Sequence, residues 1–458
     1  MKILLITPYA LYTKLRWLPM GMCYMSSLLK KNNHEVRIYD RFLKGHRLGG
    51  KEAADRDMKS EILEFKPDII GFSTISSLIH DTVTCVKYIR NFFDGTVIAG
   101  GHHATAMPEE TLKKIPGLDY IAVGEAEYTM LSIAEGKDPS NIPGLFFRNS
   151  NNSSFLGAHI RNLDDLPFPD YKIFDMDYYT EANHNTIKSY YLRSACVLSS
   201  RGCPNNCKFC SESLTFGKGV RFHSTDYVIE NIERLVSDYN VEGIYFHDNN
   251  FLASFSHAEN ICRKLIKRGL SKKVKWEMQT GTPTINDDIL PLLSKAGCTQ
   301  IELGIESIKD SDLENMNKNA STIMNKKAMD LCNKHGIKVH TNFIIGFEGE
   351  NLSDLNNILK WIKRFKPHTF SFHKIQVYPG TELYEVAGDK FFERNEWTKE
   401  NIEEYFENKI FNSIDQEERS KWFLEVYKPF STRYGRMATL KVNSLKSIIK
   451  ILSEKYFS

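Results

Sequence analysis

Residues 200–210 read Ser200-Arg201-Gly202-Cys203-Pro204-Asn205-Asn206-Cys207-Lys208-Phe209-Cys210. Three cysteines are spaced Cys-x3-Cys-x2-Cys on a stretch whose glycine and proline predict a loop. A strand at 195–199 leads into it. Clustered thiolates are the usual ligands of iron–sulfur clusters. Three on one short loop can hold three irons of a 4Fe–4S cluster and leave the fourth open to another molecule. Zinc competes for such ligands, but a structural zinc site takes four, commonly from two pairs, and no second pair exists here. A closed electron-carrier cluster needs a fourth cysteine. Cys196, on the entering strand, remains a candidate for that place.

Outward from this loop, strands are predicted at 243–247, 274–279, 300–304, 338–345 and 369–377. Helical patterns at 226–239, 257–267, 288–296, 325–335 and 352–365 separate them. With the entering strand this makes six strand–helix units. Barrels of this class carry their sites at the carboxyl ends of the strands. Those ends read His247-Asp248-Asn249-Asn250, Gly304-Ile305-Glu306-Ser307, Phe343-Ile344-Ile345-Gly346-Phe347 and Val377-Tyr378-Pro379-Gly380-Thr381.

Loop and strand ends together resemble the radical S-adenosylmethionine (SAM) enzymes. The resemblance implies a partial (β/α)6 barrel and a 4Fe–4S cluster on Cys203, Cys207 and Cys210, with SAM chelating the open iron. It also implies that Phe209 is the aromatic residue beside the third cysteine. Asp248 and Asn249 stand where many members have Gly-Gly-Glu for the SAM amino group. Glu306 stands at the ribose, and Ile344 and Gly346 at the adenine. The reduced cluster then cleaves SAM to a 5′-deoxyadenosyl radical, fed by an external electron donor of the flavodoxin or ferredoxin type. No acid–base catalytic residue is nominated.

The first half alternates strands at 2–7, 34–39, 68–73, 96–99 and 119–123 with helices at 20–31, 52–65, 80–91 and 126–134. That pattern predicts a parallel sheet covered on both faces, with ligands beyond its carboxyl ends. Pro8 follows the first strand. Ser73-Thr74-Ile75-Ser76-Ser77, Gly100-Gly101-His102-His103 and Gly124-Glu125-Ala126-Glu127 follow three others. The pattern resembles the cobalamin-binding Rossmann domain that opens many radical SAM enzymes. It implies cofactor contacts from Pro8, Ser73, Thr74, Gly100, Gly101, His102, Gly124 and Glu125. The motif Asp-x-His-x-x-Gly, whose His binds cobalt in methionine synthase-type domains, is missing. Asp40–Gly45 has its spacing, but carries Phe42 in place of His and follows the second strand.

The expected organisation is α/β: a Rossmann-like cobalamin-binding domain at 1–140, a linker at 141–190, the partial barrel at 191–385 and a small helical domain at 386–458. The polar run Asn149–Ser154 and the prolines at 167 and 169 mark the linker. From Lys421 onward eight Lys/Arg face two Glu. Residues 444–457 read as a basic amphipathic helix, either a solvated face or a peripheral membrane contact.

The 458 residues are 41% apolar and 26% charged with net charge +3, which gives no reason to expect nucleic acid. No apolar run reaches the length of a membrane span. Residues 1–6 are too short, and too soon broken by Pro8, for a signal peptide. Nine cysteines in so long a chain argue against a disulfide scaffold and for a reducing cytoplasm. The two resemblances together imply methyl transfer from methylcobalamin to an unactivated carbon of a small-molecule or lipid substrate. The alternative is a radical cyclisation, rearrangement or redox reaction, with cobalamin as electron carrier or its domain vestigial. A transfer-RNA methylthiotransferase would carry three more cluster cysteines in its first domain, where this chain has only Cys23 and Cys85.

Overall fold

The structure, a computed structural model, describes residues 1–9, 17–148, 159–184, 186–188, 190–347, 349–388 and 390–408, with Trp422, Glu425 and Lys428 beyond. The basic segment 444–457 lies outside the described residues.

Strands β1 (Lys2–Ile6), β2 (Glu35–Tyr39), β3 (Ile69–Ser73), β4 (Thr96–Gly100), β5 (Tyr120–Ala122) and β6 (Leu145–Phe147) form the first sheet, in the order β2-β1-β3-β4-β5-β6. The first five run parallel. The chain crosses from β2 past β1 to β3, so the order reverses there and opens a crevice at the carboxyl ends. β6 pairs antiparallel with β5 and comes from the stretch expected to be connector. Its apolar residues, Leu145-Phe146-Phe147, are too few to signal a strand on their own.

β7 (Ser194–Val197), β8 (Ser200–Cys203), β9 (Gly219–Phe222), β10 (Gly243–Phe246), β11 (Lys275–Gly281), β12 (Cys298–Glu306), β13 (Lys338–Ile345) and β14 (Thr369–Lys374) build the second half. Six of them make a wholly parallel sheet, β14-β13-β12-β11-β10-β7, the partial barrel expected. β8 and β9 form a separate antiparallel hairpin, so the first residues of the cysteine stretch are strand rather than loop. Gly202 makes the hairpin possible: its φ is +90°, and a Cβ would collide with the carbonyl of Gly219.

One core runs through both halves. The helix Met20–Lys31 buries Cys23, Tyr24 and Leu29, and these join Ile3 and Leu5 of the first sheet to Ile244, Trp276 and Ile301 of the second. A second core lies on the other face of the first sheet. There Phe392, Trp397, Ile402 and Tyr405 of the C-terminal segment pack with Leu4, Ile6 and Ile70. His103 is caught in this packing, its ring 4.8 Å from that of Trp397 and 5.3 Å from that of Phe392. All nine cysteines are free and the six scattered ones are buried. Cys196 lies within β7, buried in the core shared by both halves. Among the described residues no helix is long and apolar enough to cross a membrane.

Candidate active site

Two cavities open where the ends of the two sheets come together. The first, of about 250 Å³, lies beyond β1, β3, β4 and β5 and is apolar. Gly21, Gly71, Gly100, Gly101, Gly124 and Ala122 make its wall smooth, and Leu198, Arg201 and Phe216 close it from the second half. A Cβ added at Gly21 meets nothing within 4 Å. These small residues leave room for a flat, bulky group, as a corrinoid's nucleotide end would require.

Of the residues expected around it, Ser73, Gly100, Gly101, Gly124 and Glu125 line this chamber. Thr74 is fully buried, and its hydroxyl donates to the Gly100 carbonyl and accepts from the Ala104 amide. His102 Nδ1 lies 2.9 Å from Thr215 Oγ1, which ties the halves together. Pro8 precedes Tyr9, whose amide donates to the buried Asp81. Glu125 is an interdomain clasp as well as a wall. Arg201 donates to Glu125 at 2.7 Å and to Glu127 at 2.8 Å, all three side chains being buried, and Arg221 donates to Glu125 too.

The second cavity, of about 710 Å³, is the more polar of the two, though Phe209, Ile344, Phe372 and Ile375 also line it. Phe209, Glu306 and Ile344 line it, with Glu302 and Asn342 earlier on β12 and β13, His373 on the exposed end of the edge strand β14, and Ser77 from beyond β3. The cysteine loop borders it through Phe209. Cys203, Cys207 and Cys210 are half-buried, and their thiols feel one another's charge. Burial pushes all three up, Cys210 to about 11, a cost that binding to a cationic metal reverses. Among the described residues no three His, Cys, Asp or Glu side chains converge to hold a single metal ion. Thiolates that each take a different iron of a cluster need not converge on one point, so this geometry is compatible with a cluster.

Asp248 is fully buried and accepts from the Ser199 amide at 3.1 Å, the Ser199 hydroxyl at 2.9 Å and the Ser200 hydroxyl. It fixes the corner between β7 and β8, and burial pushes its carboxyl up to about 6. Asn249 donates to Glu212, just past the third cysteine, at 3.0 Å. Gly346 has φ +97°, and its amide donates to Glu350 at 2.5 Å.

The sequence reading missed the ionic floor of the polar cavity. Lys188 donates to Glu302 and, at 3.4 Å, to Glu277. Asn342 Nδ2 donates to Glu302 at 2.6 Å, and His340 Nε2 and His373 Nε2 lie 3.2 and 3.1 Å from Asn342 Oδ1. Burial pushes Glu277 up to about 7. Burial opposes ionisation of Glu302 as well, but Lys188 outweighs it and holds that carboxyl at about 2. One signal was available: Glu277 stands between Trp276 and Met278, and Glu302 between Ile301 and Leu303, acids inside apolar strands.

Comparison with known proteins agrees with this arrangement. Residues 6–134 match the B12 binding domain and residues 197–362 the radical SAM superfamily. An uncharacterized methyltransferase of Pyrococcus horikoshii is 30% identical over 376 residues, covering 81% of this chain and 78% of that protein. The anaerobic magnesium-protoporphyrin IX monomethyl ester cyclase of Rubrivivax gelatinosus is 26% identical, covering 82% of this chain and 67% of the relative. Among solved structures, the radical SAM methyltransferase TsrM of Kitasatospora setae superposes with a TM-score of 0.71 at 17% identity, covering 84% of this chain and 76% of that one, which shows the shared fold.

Fold and site together define a radical SAM enzyme with an N-terminal B12-binding domain. The chain belongs to the cobalamin-dependent radical SAM family. Its cofactors are a 4Fe–4S cluster, SAM and cobalamin, and it needs a reductant and a small-molecule substrate.

Proposed function

We propose that this enzyme transfers a methyl group, through cobalamin, to an unactivated carbon of a small-molecule or lipid substrate. One observation carries the reading: the polar cavity is walled by both halves, Ser77 from the cobalamin-binding side and Phe209, Glu306 and Ile344 from the cluster side. A substrate there lies within reach of both. The bound cofactors supply the chemistry, SAM cleavage at the cluster giving the hydrogen-abstracting radical and cobalamin carrying the methyl group.

The chain's own residues hold and orient. Cys203, Cys207 and Cys210 hold three irons of the cluster. Phe209, Asn249, Glu306, Ile344 and Gly346 bound the SAM site, while Asp248 keeps the β7–β8 corner that delivers the cysteines. Ser73, Gly100, Gly101, Gly124 and Glu125 wall the corrinoid chamber. Glu302, Asn342 and His373, braced by Lys188, form the substrate floor. The electron donor is external, of the flavodoxin or ferredoxin type. Nine free thiols suit a reducing cytoplasm.

The cyclase relative supports a second reading, in which the radical drives cyclisation and cobalamin carries electrons. Reconstituted enzyme given reductant, hydroxocobalamin and methyl-deuterated SAM separates the two. Methyl transfer predicts both S-adenosylhomocysteine and 5′-deoxyadenosine, with the label on the corrinoid. 5′-Deoxyadenosine alone would overturn it in favour of the second reading.

A further inference from the structure

The turn after β12 puts a cation where the sequence pattern suggests none. β12 shifts register between Gly304 and Glu306, and Glu306 takes a left-handed backbone, φ +59°. The short helix Asp310–Asn315 follows, and the Lys318 amide closes back onto the Leu313 carbonyl at 2.8 Å. This return brings Lys318 Nζ to 2.8 Å from Glu306 Oε1, with both side chains only 11% exposed. Gly304 leaves the space they need. A Cβ there would collide with Glu306 Oε1 and lie 2.9 Å from Lys318 Nζ.

The same turn is pinned to the cysteine loop on either side of Cys207. The Lys208 amide donates to the Met316 carbonyl at 2.9 Å, and Asn317 Nδ2 donates to the Asn206 carbonyl at 2.7 Å. Lys318 is therefore held in a rigid frame rather than waving from the surface. The charge of Lys318 acts on both Cys203 and Cys207, and that of Glu306 acts on Cys207 in the opposite sense.

Reducing a cluster adds negative charge. A fixed cation nearby stabilises the reduced form more than the oxidised one and raises the potential, and a fixed anion lowers it. Burial makes such charges weigh more, because water screens them less. Lys318 and Glu306 stand as opposed levers on one redox centre.

We propose that Lys318 is a positioning residue that sets the reduction potential of the cluster on Cys203, Cys207 and Cys210, with Glu306 as its counterweight. The proposal rests on the cluster assignment made above. The step it governs is the transfer of one electron from the external donor to the oxidised cluster. The donor loses that electron, no bond forms or breaks, and Lys318 keeps its proton.

The test is a redox titration of the anaerobically reconstituted full-length enzyme without SAM, using dithionite and mediators and following the reduced cluster by electron paramagnetic resonance. Lys318→Met should lower the ratio of reduced to oxidised cluster at fixed potential at least tenfold, a midpoint shift of about 59 mV for a one-electron couple. Lys318→Arg should stay near the wild type. Glu306→Gln should shift the midpoint upward, and the double variant should fall between the singles. A purely structural role would not give shifts of opposite sign. Midpoints of Lys318→Met and Glu306→Gln that match the wild type, or that move together, would overturn the proposal. A wild type that binds no cluster after reconstitution, shown by iron analysis, would instead overturn the cluster assignment on which it stands.

Discussion

The two cavities sit side by side and recognise by opposite means. The first is bounded by glycines and apolar side chains at the ends of a Rossmann-like sheet, and its charged residues, Arg201, Glu125 and Glu127, are paired with one another. The second is bounded by carboxylates already matched to partners, Glu302 to Lys188 and Glu306 to Lys318. Shape and room do the selecting in one. Fixed charge and hydrogen-bond direction do it in the other. One rigid end of a preformed cofactor is suited to the first, while a cavity in which charge changes during turnover needs its polar groups braced beforehand, as in the second.

That contrast is open to attack at four points. The largest effect is expected at the cysteines. Cys207→Ala should abolish retention of the 4Fe–4S cluster, read as iron and sulfide content, and end SAM cleavage, while cobalamin still binds in the first chamber. Next comes the clasp between the halves. Arg201→Met leaves Glu125 and Glu127 buried without their shared partner, and breaking a buried ion pair from one side costs about 3–5 kcal/mol. Thermal unfolding followed by circular dichroism should show the loss.

A substitution in the apolar chamber should be gentler and more selective. Gly21 lines the chamber and has open space beside it, so Gly21→Leu should crowd the chamber mouth and weaken cobalamin retention about tenfold, the scale of roughly 1.4 kcal/mol. Equilibrium dialysis with hydroxocobalamin measures this, and cluster absorbance should not change. The smallest effect concerns Glu277 on the polar floor. Its folded pKa is raised to about 7, so the folded protein binds more protons than the unfolded chain between the ordinary carboxylate range and pH 7. Stability from this group is therefore present at low pH and lost as pH rises through about 7. Glu277→Gln should flatten the fall in melting temperature between pH 5 and 7.5 relative to the wild type.

The two cavities also differ in how far the sequence reveals them. The glycines of the first stand at strand ends and announce themselves by position, and five of the eight residues expected to make cobalamin contacts line that chamber. Both sheets follow from short apolar strands alternating with helices, and the Cys-x3-Cys-x2-Cys spacing marks Cys203, Cys207 and Cys210 as candidate cluster ligands. The polar floor is different. Lys188 and Glu302 are 114 positions apart and meet only because residues 186–188 pack beneath β11 and β12. Asp248 shows the converse: its place after a strand suggests a ligand contact, but two serines at the β7–β8 corner take up its carboxylate. The β8–β9 hairpin was hidden because glycine, proline and asparagine beside Cys203 signal a loop, while Gly202 uses its left-handed backbone to make a strand pairing instead.

Whether one chain holds both redox cofactors is read from anaerobic reconstitution with iron, sulfide and hydroxocobalamin, followed by the ultraviolet–visible spectrum of the desalted protein. Corrinoid bands should be retained beside the broad cluster absorbance. Cluster absorbance with no corrinoid would contradict this and leave a radical SAM enzyme whose first domain serves some other purpose.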